Sequence, residues 1–233
     1  MNIFFAALGV IMTISSTASA NAHLSLYQLP DTVQDVEGNT YRTVTIGKQT
    51  WLAENLRTRK FQDGTPVKTG GIPKDDEANL LKYGRLYDWQ DVADKRNLCP
   101  AGWRVASDDD WQQLEKTIGM AEAELNNTGW RGANNLAHTL KETQIDGLFN
   151  KINQSEVNKY QFYARPAGIK WRNWYITQGW YSEFWTSSEE TDTKAVNRTL
   201  AFQWWNMHKG EIYRSSLSKD YMFSVRCVKK DNT

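Results

Sequence analysis

Hydrophobic and polar positions alternate most clearly between residues 98 and 119. Trp103 and Val105 are separated by a single polar residue, a spacing that predicts a short half-buried strand. Pro100 and Gly102 come just before them, and both residue types favour a tight turn. The pattern therefore predicts a turn that leads directly into a strand.

A helix is predicted immediately after this strand. Ser107 is a suitable N-cap, and residues 108–110 are aspartates, which the helix dipole favours in a first turn. Gly119 is placed to end the helix. Three apolar residues recur at helical spacing on one face: Trp111, Leu114 and Ile118. We prefer helix capping to a metal cluster for the aspartates, because side chains within one helical turn point in different directions.

Nearer the N-terminus the pattern predicts a β-hairpin. Residues 41–46 have two distinct faces and are rich in β-branched side chains. Gly47 and Lys48 suit a two-residue turn, and residues 49–53 supply the returning strand.

Two further helices are expected in the middle of the chain. One is short, follows Gly84 and lies within residues 80–94, and the other covers residues 133–143 with an alanine and leucine stripe. Residues 68–79 are polar and are expected to form a surface loop.

The last third of the chain is expected to be rich in strands. Aromatic residues crowd residues 162–185, residues 187–198 are expected to form a polar loop, and residues 199–205 and 211–215 are expected to form a hairpin. The closing strand alternates Phe223, Val225 and Cys227. We therefore expect an α+β fold: a single compact domain with short irregular antiparallel strands and two or three short helices.

The first twenty residues resemble a cleaved secretory signal. Residues 3–14 are almost entirely apolar but too few to cross a bilayer, and Ala18-Ser19-Ala20 has the form of a signal-peptidase site. We expect residues 1–20 to be removed, residues 21–34 to form an extended leader, and residues 35–230 to form the domain. The expected location is secreted, periplasmic or at the cell surface, with no membrane insertion after cleavage.

The charge balance argues against two classes of partner. The chain has 28 Lys and Arg against 27 Asp and Glu, a formal net charge of +1. A nearly neutral chain without a basic run lacks the electrostatic footprint of a nucleic-acid-binding or membrane-binding protein. The composition is unusual in its aromatic content, with 11 Trp and 10 Tyr.

Two cysteines, Cys99 and Cys227, are expected to form one disulfide, because paired cysteines in a secreted chain are normally oxidised. A pair of free thiols is the alternative. The two cysteines are too far apart in sequence for a zinc motif, and the three histidines show no ligand spacing, so we expect no metal and no cofactor.

Six ordered blocks of sequence cover nearly the whole chain after the signal segment: residues 35–57, 86–93 (LYDWQDVA), 98–105 (LCPAGWRV), 165–168 (RPAG), 184–189 (FWTSSE) and 224–229 (SVRCVK). In this order they resemble the Fibrobacter succinogenes major paralogous domain. The family occurs in secreted and surface proteins of bacteria and has no established activity.

The resemblance implies a fold distantly similar to C-type lectins and sulfatase-modifying factors. It supports the Cys99–Cys227 disulfide, because in those folds a central turn and helix are tied to the final strand. The calcium motifs of sugar-binding lectins are absent here, and the reactive cysteine pair of the formylglycine-generating enzymes is also missing. Ala106 stands where family members usually have proline, which affects only a local turn.

The aromatic cluster of the last third is the best candidate for a ligand-binding site. Flat rings stack on sugar faces, and Trp and Tyr are favoured at interfaces. Trp185 is expected in the core, whereas at least one of three other tryptophans is expected to reach solvent, because large rings are rarely wholly buried. The candidate ligand-binding residues are Trp171, Arg172, Trp174, Tyr175, Trp180 and Glu189.

These observations lead to the hypothesis of a binding module without catalytic activity. Its expected ligand is a polysaccharide or a surface protein. Two alternatives stay open: a hydrolase that uses a pair of carboxylates from residues 183–192, and a structural envelope protein. The sequence contains no nucleophile-elbow motif of the serine hydrolases.

Overall fold

The computed structural model describes residues 31–142, 156–202, 207–208 and 210–231. The expected signal segment lies outside these residues. The described helices are α1 (Ala78–Tyr83), α2 (Trp89–Val92), α3 (Asp108–Thr117) and the short 3-10 helices Pro73–Asp75, Glu122–Glu124 and Leu136–Leu140. The described strands are β1 (Thr32–Gln34), β2 (Thr40–Ile46), β3 (Gln49–Leu52), β4 (Tyr87–Asp88), β5 (Trp103–Val105), β6 (Gly129–Arg131), β7 (Ile169–Trp171), β8 (Trp174–Ile176), β9 (Tyr181–Thr191), β10 (Lys194–Ala201), β11 (Ile212–Ser218), β12 (Tyr221–Val225) and β13 (Cys227–Lys229).

The strands form two sheets, and the last two strands of the chain belong one to each sheet. One sheet has five strands in the order β1-β2-β3-β13-β5, and the other follows the order β6-β11-β10-β9-β12-β7-β8, with β4 paired to β12. Most pairs are antiparallel, and β9 with β12 is parallel. Consecutive strands β12 and β13 therefore belong to different sheets. No helix among the described residues reaches the length and apolarity needed to span a bilayer.

Two groups of aromatic side chains fill the interior. In the first, Trp111 of α3 lies 5.4 Å from Trp51 of β3 and 5.2 Å from Phe184 of β9, measured between ring centroids. In the second, Trp185 stacks on Phe223 at 4.2 Å. Adjacent residues of a strand point to opposite faces, so β9 contributes to both groups. The expectation that Trp185 belongs to the core is confirmed.

The central turn, strand and helix form as predicted. The hydroxyl of Ser107 accepts a hydrogen bond from the Asp110 amide, and the Asp110 carboxylate accepts one from the Ser107 amide, which completes a capping box. Asp108 has another role: it pairs with Arg198 and Arg214 of neighbouring strands. Burial alone would raise the pKa of Asp108, but the two guanidinium groups lower it to about 2.

One local prediction is met in part, and two are wrong. The short helix expected after Gly84 is present as α2, although it begins only after β4, and the additional helix α1 precedes Gly84. The helix expected over residues 133–143 is a 3-10 helix, Leu136–Leu140, within the part described. The polar loop expected at residues 187–198 is instead the end of β9, a tight turn and most of β10.

The disulfide joins the central turn to the last strand, as expected. Cys99 and Cys227 are bonded, and both side chains are buried. Mixed helix and strand content, short helices and this one disulfide match the coarse fold class expected from the sequence. The first strand, Thr32–Gln34, pairs with β2 although it lies within the stretch interpreted as a leader.

Loss of the disulfide is expected to destabilise the protein by roughly 2–5 kcal/mol, because it closes a long loop in the unfolded chain. The bond spans 128 positions. The change is a Cys99→Ser, Cys227→Ser double variant, and the measurement is the free energy of unfolding in urea. Reduced wild-type protein is the matched control and should unfold at the same urea concentration as the variant. An unchanged midpoint in both samples would contradict this expectation.

Candidate functional site

Three aromatic side chains lie side by side on one face at the edge of the larger sheet. The register pairs Tyr221 of β12 with Trp171 of β7, and Trp171 with Trp174 of β8. Directly opposed residues of antiparallel strands project from the same face of a sheet. The ring centroids of Trp171 and Tyr221 are 6.2 Å apart. We call Trp171, Trp174 and Tyr221 the aromatic platform.

The aromatic platform continues a row of rings that begins in the core. Trp185 stacks on Phe223, and the centroid of Phe223 is 5.9 Å from that of Tyr221. Trp185 and Phe223 are fully buried, whereas Trp174 is 69% exposed. The packed row from Trp185 to Trp171 therefore runs outward from the interior, and the strand register places Trp174 next to its outer end.

Two more apolar side chains extend the exposed surface beside the aromatic platform. Ile176 follows on β8 and is 41% exposed, and Trp180 lies in the next turn and is 52% exposed. The expectation that at least one of the three tryptophans reaches solvent is confirmed. Several exposed large apolar side chains within one short segment are a feature of binding sites.

The structure brings together five of the six candidate residues. Trp171, Arg172, Trp174 and Tyr175 lie on the β7–β8 hairpin, and Trp180 lies in the turn that follows it. Glu189 is elsewhere: it lies near the far end of β9 and forms an ion pair with Lys219. At about 3.3 Å per residue, Glu189 lies roughly 25 Å along β9 from its first residue.

Sequence reasoning missed Tyr221, the third ring of the aromatic platform. It alternates with Phe223 and Val225, so it was detectable as part of the same face of the closing strand. Its proximity to Trp171 depends on pairing between segments 50 positions apart (221 minus 171), which no local pattern shows.

The opposite face of the hairpin is anchored to the preceding loop. The Tyr175 hydroxyl donates a hydrogen bond to Asp75 Oδ1 at 2.5 Å, and Lys170 Nζ lies 4.8 Å from the Tyr175 ring centroid. Burial and the nearby Asp75 carboxylate both raise the pKa of Tyr175, so its hydroxyl stays a neutral donor. This anchor fixes the hairpin while Trp174 on the other face stays in solvent.

Gly168 allows the hairpin to join the sheet. Its φ is +70°, a conformation that glycine adopts without strain. A Cβ atom there would lie 2.4 Å from both the Ile176 carbonyl oxygen and the Gln178 amide nitrogen. Any side chain at this position would therefore separate β7 from the segment that carries Trp180.

A buried carboxyl group lies beneath this segment. Glu183 is 8% exposed, and its Oε1 accepts a hydrogen bond of 3.4 Å from the Thr177 hydroxyl. Its Oε2 has no hydrogen-bond partner among the described residues. Burial raises the pKa of Glu183 to about 8, whereas the hydrogen bond from Thr177 lowers it slightly. The side chain is therefore a neutral acid at pH 7.

The other groups of polar residues are weaker candidates for a functional site. A small surface cleft between the β3 end and α1 is lined by Glu54, Arg57, Lys82 and Arg165 among others. Its carboxylate, Glu54, already accepts hydrogen bonds from Arg57 and Arg42. Among the described residues there is no group of three or more His, Cys, Asp or Glu placed to hold a metal ion.

The Glu183→Gln variant is expected to remove a pH dependence of stability. The pKa of Glu183 is about 8 in the folded protein against 4.5 ordinarily, so between these values the folded state holds a proton that the unfolded chain has released. The free energy of unfolding of the wild type therefore falls as pH rises through this interval, by on the order of 3–5 kcal/mol. The variant lacks this decrease. The measurement is urea unfolding at a series of pH values from 4.5 to 9.

Glu189→Gln is the matched control, because Glu189 is an exposed acid on the same strand. Its profile should follow that of the wild type. A Glu183→Gln profile parallel to that of the wild type over the whole interval would show that Glu183 ionises normally.

Comparison with known proteins identifies the family. The family model of the Fibrobacter succinogenes major domain matches residues 44–229, which include both cysteines and all of the aromatic platform. No curated protein and no solved structure matches the chain significantly. The chain therefore belongs to the Fibrobacter succinogenes major domain family.

Proposed function

We propose that this protein is a non-catalytic binding module whose ligand is a polysaccharide held against the aromatic platform. The observation that carries the proposal is the exposure of Trp174, which the strand register places next to the outer end of a packed aromatic row. A large ring in solvent adds nothing to core packing, and the backbone that carries Trp174 is already fixed by strand pairing and by the Tyr175 anchor before a ligand arrives. Little conformational entropy is then lost on binding.

Sugar rings are suited to such a surface. One side of a pyranose presents C–H groups, and its hydroxyls lie around the rim, so an aromatic ring can cover the apolar side while polar groups contact the rim. Tyr and Trp offer this combination of apolar area and polar edge. Trp180 and Ile176 widen the surface on one side, which suits an extended chain better than a single sugar.

The proposed location is outside the cytoplasm. The apolar first segment and its small-residue cleavage pattern support export. The Cys99–Cys227 disulfide also supports it, because such bonds persist in oxidising compartments. A polysaccharide of the cell surface or surroundings would be accessible there.

We also propose that the fold is related to C-type lectins. The support is the arrangement in which a central turn, strand and capped helix are tied by a disulfide to the final strand. The proposed sugar contact does not depend on this relationship, because it rests on the aromatic platform.

Trp174→Ala is expected to weaken polysaccharide binding about tenfold, as an aromatic contact of about 1.5 kcal/mol corresponds to that factor. Binding of the mature protein to cellulose, xylan, chitin and polygalacturonate is measured by affinity electrophoresis and calorimetry. Trp180→Ala should reduce affinity less, because Trp180 lies in the turn after the hairpin and is not part of the aromatic platform.

Leu81→Ala is the matched control: Leu81 is 76% exposed but belongs to α1 and is not part of the β7–β8 hairpin. It should bind like the wild type. Equal affinity of Trp174→Ala and wild type for every polymer bound would refute the proposal. So would binding to a surface protein with no affinity for any polysaccharide.

A further inference from the structure

The hairpin that carries the aromatic platform is positively charged. Residues 168–182 include Lys170 and Arg172 and contain no Asp or Glu. The next acid in the chain, Glu183, is buried against Thr177, just after the hairpin, and is neutral at pH 7. The segment therefore has a charge of +2, in a chain whose overall charge is +1.

Arg172 lies at the exposed tip of this hairpin in an unusual backbone conformation. Its φ is +54°, a region that glycine or asparagine adopts more easily than arginine. Its guanidinium carbon lies 4.6 Å from the ring centroid of Trp171. Arg172 is the first residue of the two-residue turn between Trp171 and Trp174, where a positive φ is common and where glycine would fit at a lower local cost.

Beyond its stacking on Trp171, the guanidinium group of Arg172 makes no hydrogen bond or ion pair with any described residue, so its N–H donors face solvent. Lys170 differs, since its ammonium group lies over Tyr175 and 4.0 Å from Asp75 on the anchored face. Of the two cations of the hairpin, Arg172 is the one free to contact a ligand.

The acid next to Tyr221 in the sequence, Asp220, already has a hydrogen-bond partner. Asp220 precedes Tyr221, the register partner of Trp171. Its Oδ2 accepts a hydrogen bond of 3.2 Å from Ser218 Oγ, and it forms no ion pair with Arg172 in the described structure. Stacking on Trp171 therefore holds the guanidinium group in place of a salt bridge.

We infer that the polysaccharide ligand carries carboxylate groups, and that Arg172 binds a uronate carboxylate while Trp174 stacks on a sugar ring. This inference rests on the proposed polysaccharide-binding function. A guanidinium group presents a planar pair of donors that matches a carboxylate, and stacking on an aromatic ring fixes the orientation of that pair. A neutral polysaccharide would leave this donor pair without a charged acceptor.

The test compares two polymers with the same sugar backbone: polygalacturonate and its fully methyl-esterified form, in which each carboxylate is replaced by a neutral ester. The wild type is expected to bind polygalacturonate at least tenfold more tightly, with an affinity that decreases as salt increases. Arg172→Gln should lower this affinity to that of the ester and leave ester binding unchanged. Arg172→Lys should give an intermediate affinity, because it keeps the charge but loses the planar pair of donors.

Two further variants separate this inference from the proposed function. Trp174→Ala should weaken binding to both polymers, because it removes the ring contact and not the charge. Lys82→Gln, which removes an exposed cation from α1, is the control and should bind both polymers like the wild type.

Each result decides one of the two proposals. Equal wild-type affinity for the two polymers, or an Arg172→Gln variant that still prefers polygalacturonate, overturns the carboxylate inference and leaves the proposed function standing. If the protein binds only neutral polysaccharides and Trp174→Ala weakens that binding, the carboxylate inference is likewise overturned and the proposed function stands. Binding to no polysaccharide overturns the proposed function and the inference with it.

Discussion

The structure depends on one buried arginine at the junction of its two sheets. Arg226 lies between β12 and β13, so the chain passes from one sheet to the other at this residue. Its guanidinium group donates to the Asn55 side chain and to the carbonyl oxygens of Leu52 and Phe162, and it lies 4.2 Å from the Phe162 ring centroid. Burial lowers the pKa of Arg226 to about 9, so the group is still charged at neutral pH. These acceptors and rings offset the cost of a buried charge that has no ion-pair partner in the described structure.

This junction fixes the aromatic platform to the rest of the domain. Tyr221 begins β12, the strand that ends just before Arg226, and Cys227 follows with its disulfide to the central turn. The same strand is hydrogen-bonded to β7, which carries Trp171. Tyr221 packs against the core on one side and faces solvent on the other. The binding surface that it forms is therefore ordered before a ligand binds. The loss of entropy on ligand binding is correspondingly small.

The elements predicted correctly are those whose determinants are local. Ser107 and Asp110 are three positions apart, and the hairpin of β2 and β3 turns at two adjacent residues, so a short window shows both. Residues 187–198 were misassigned because burial there is decided at long range: Arg198 looks like a loop residue in sequence, but it is paired in the core with Glu115, 83 positions away. For the site, the exposed rings of the hairpin were predictable from composition. The addition of Tyr221 and the separation of Glu189 required the sheet register.

The most direct test of this account is hydrogen exchange in an Arg226→Met variant. Methionine retains an unbranched stem like that of arginine but lacks the charge and the hydrogen-bond donors. If Arg226 holds the two sheets together, backbone amides of β3 and of β7 should both exchange faster than in the wild type, although neither strand contains the substitution. Loss of protection confined to β13, with β7 unchanged, would contradict the claim that this junction positions the aromatic platform.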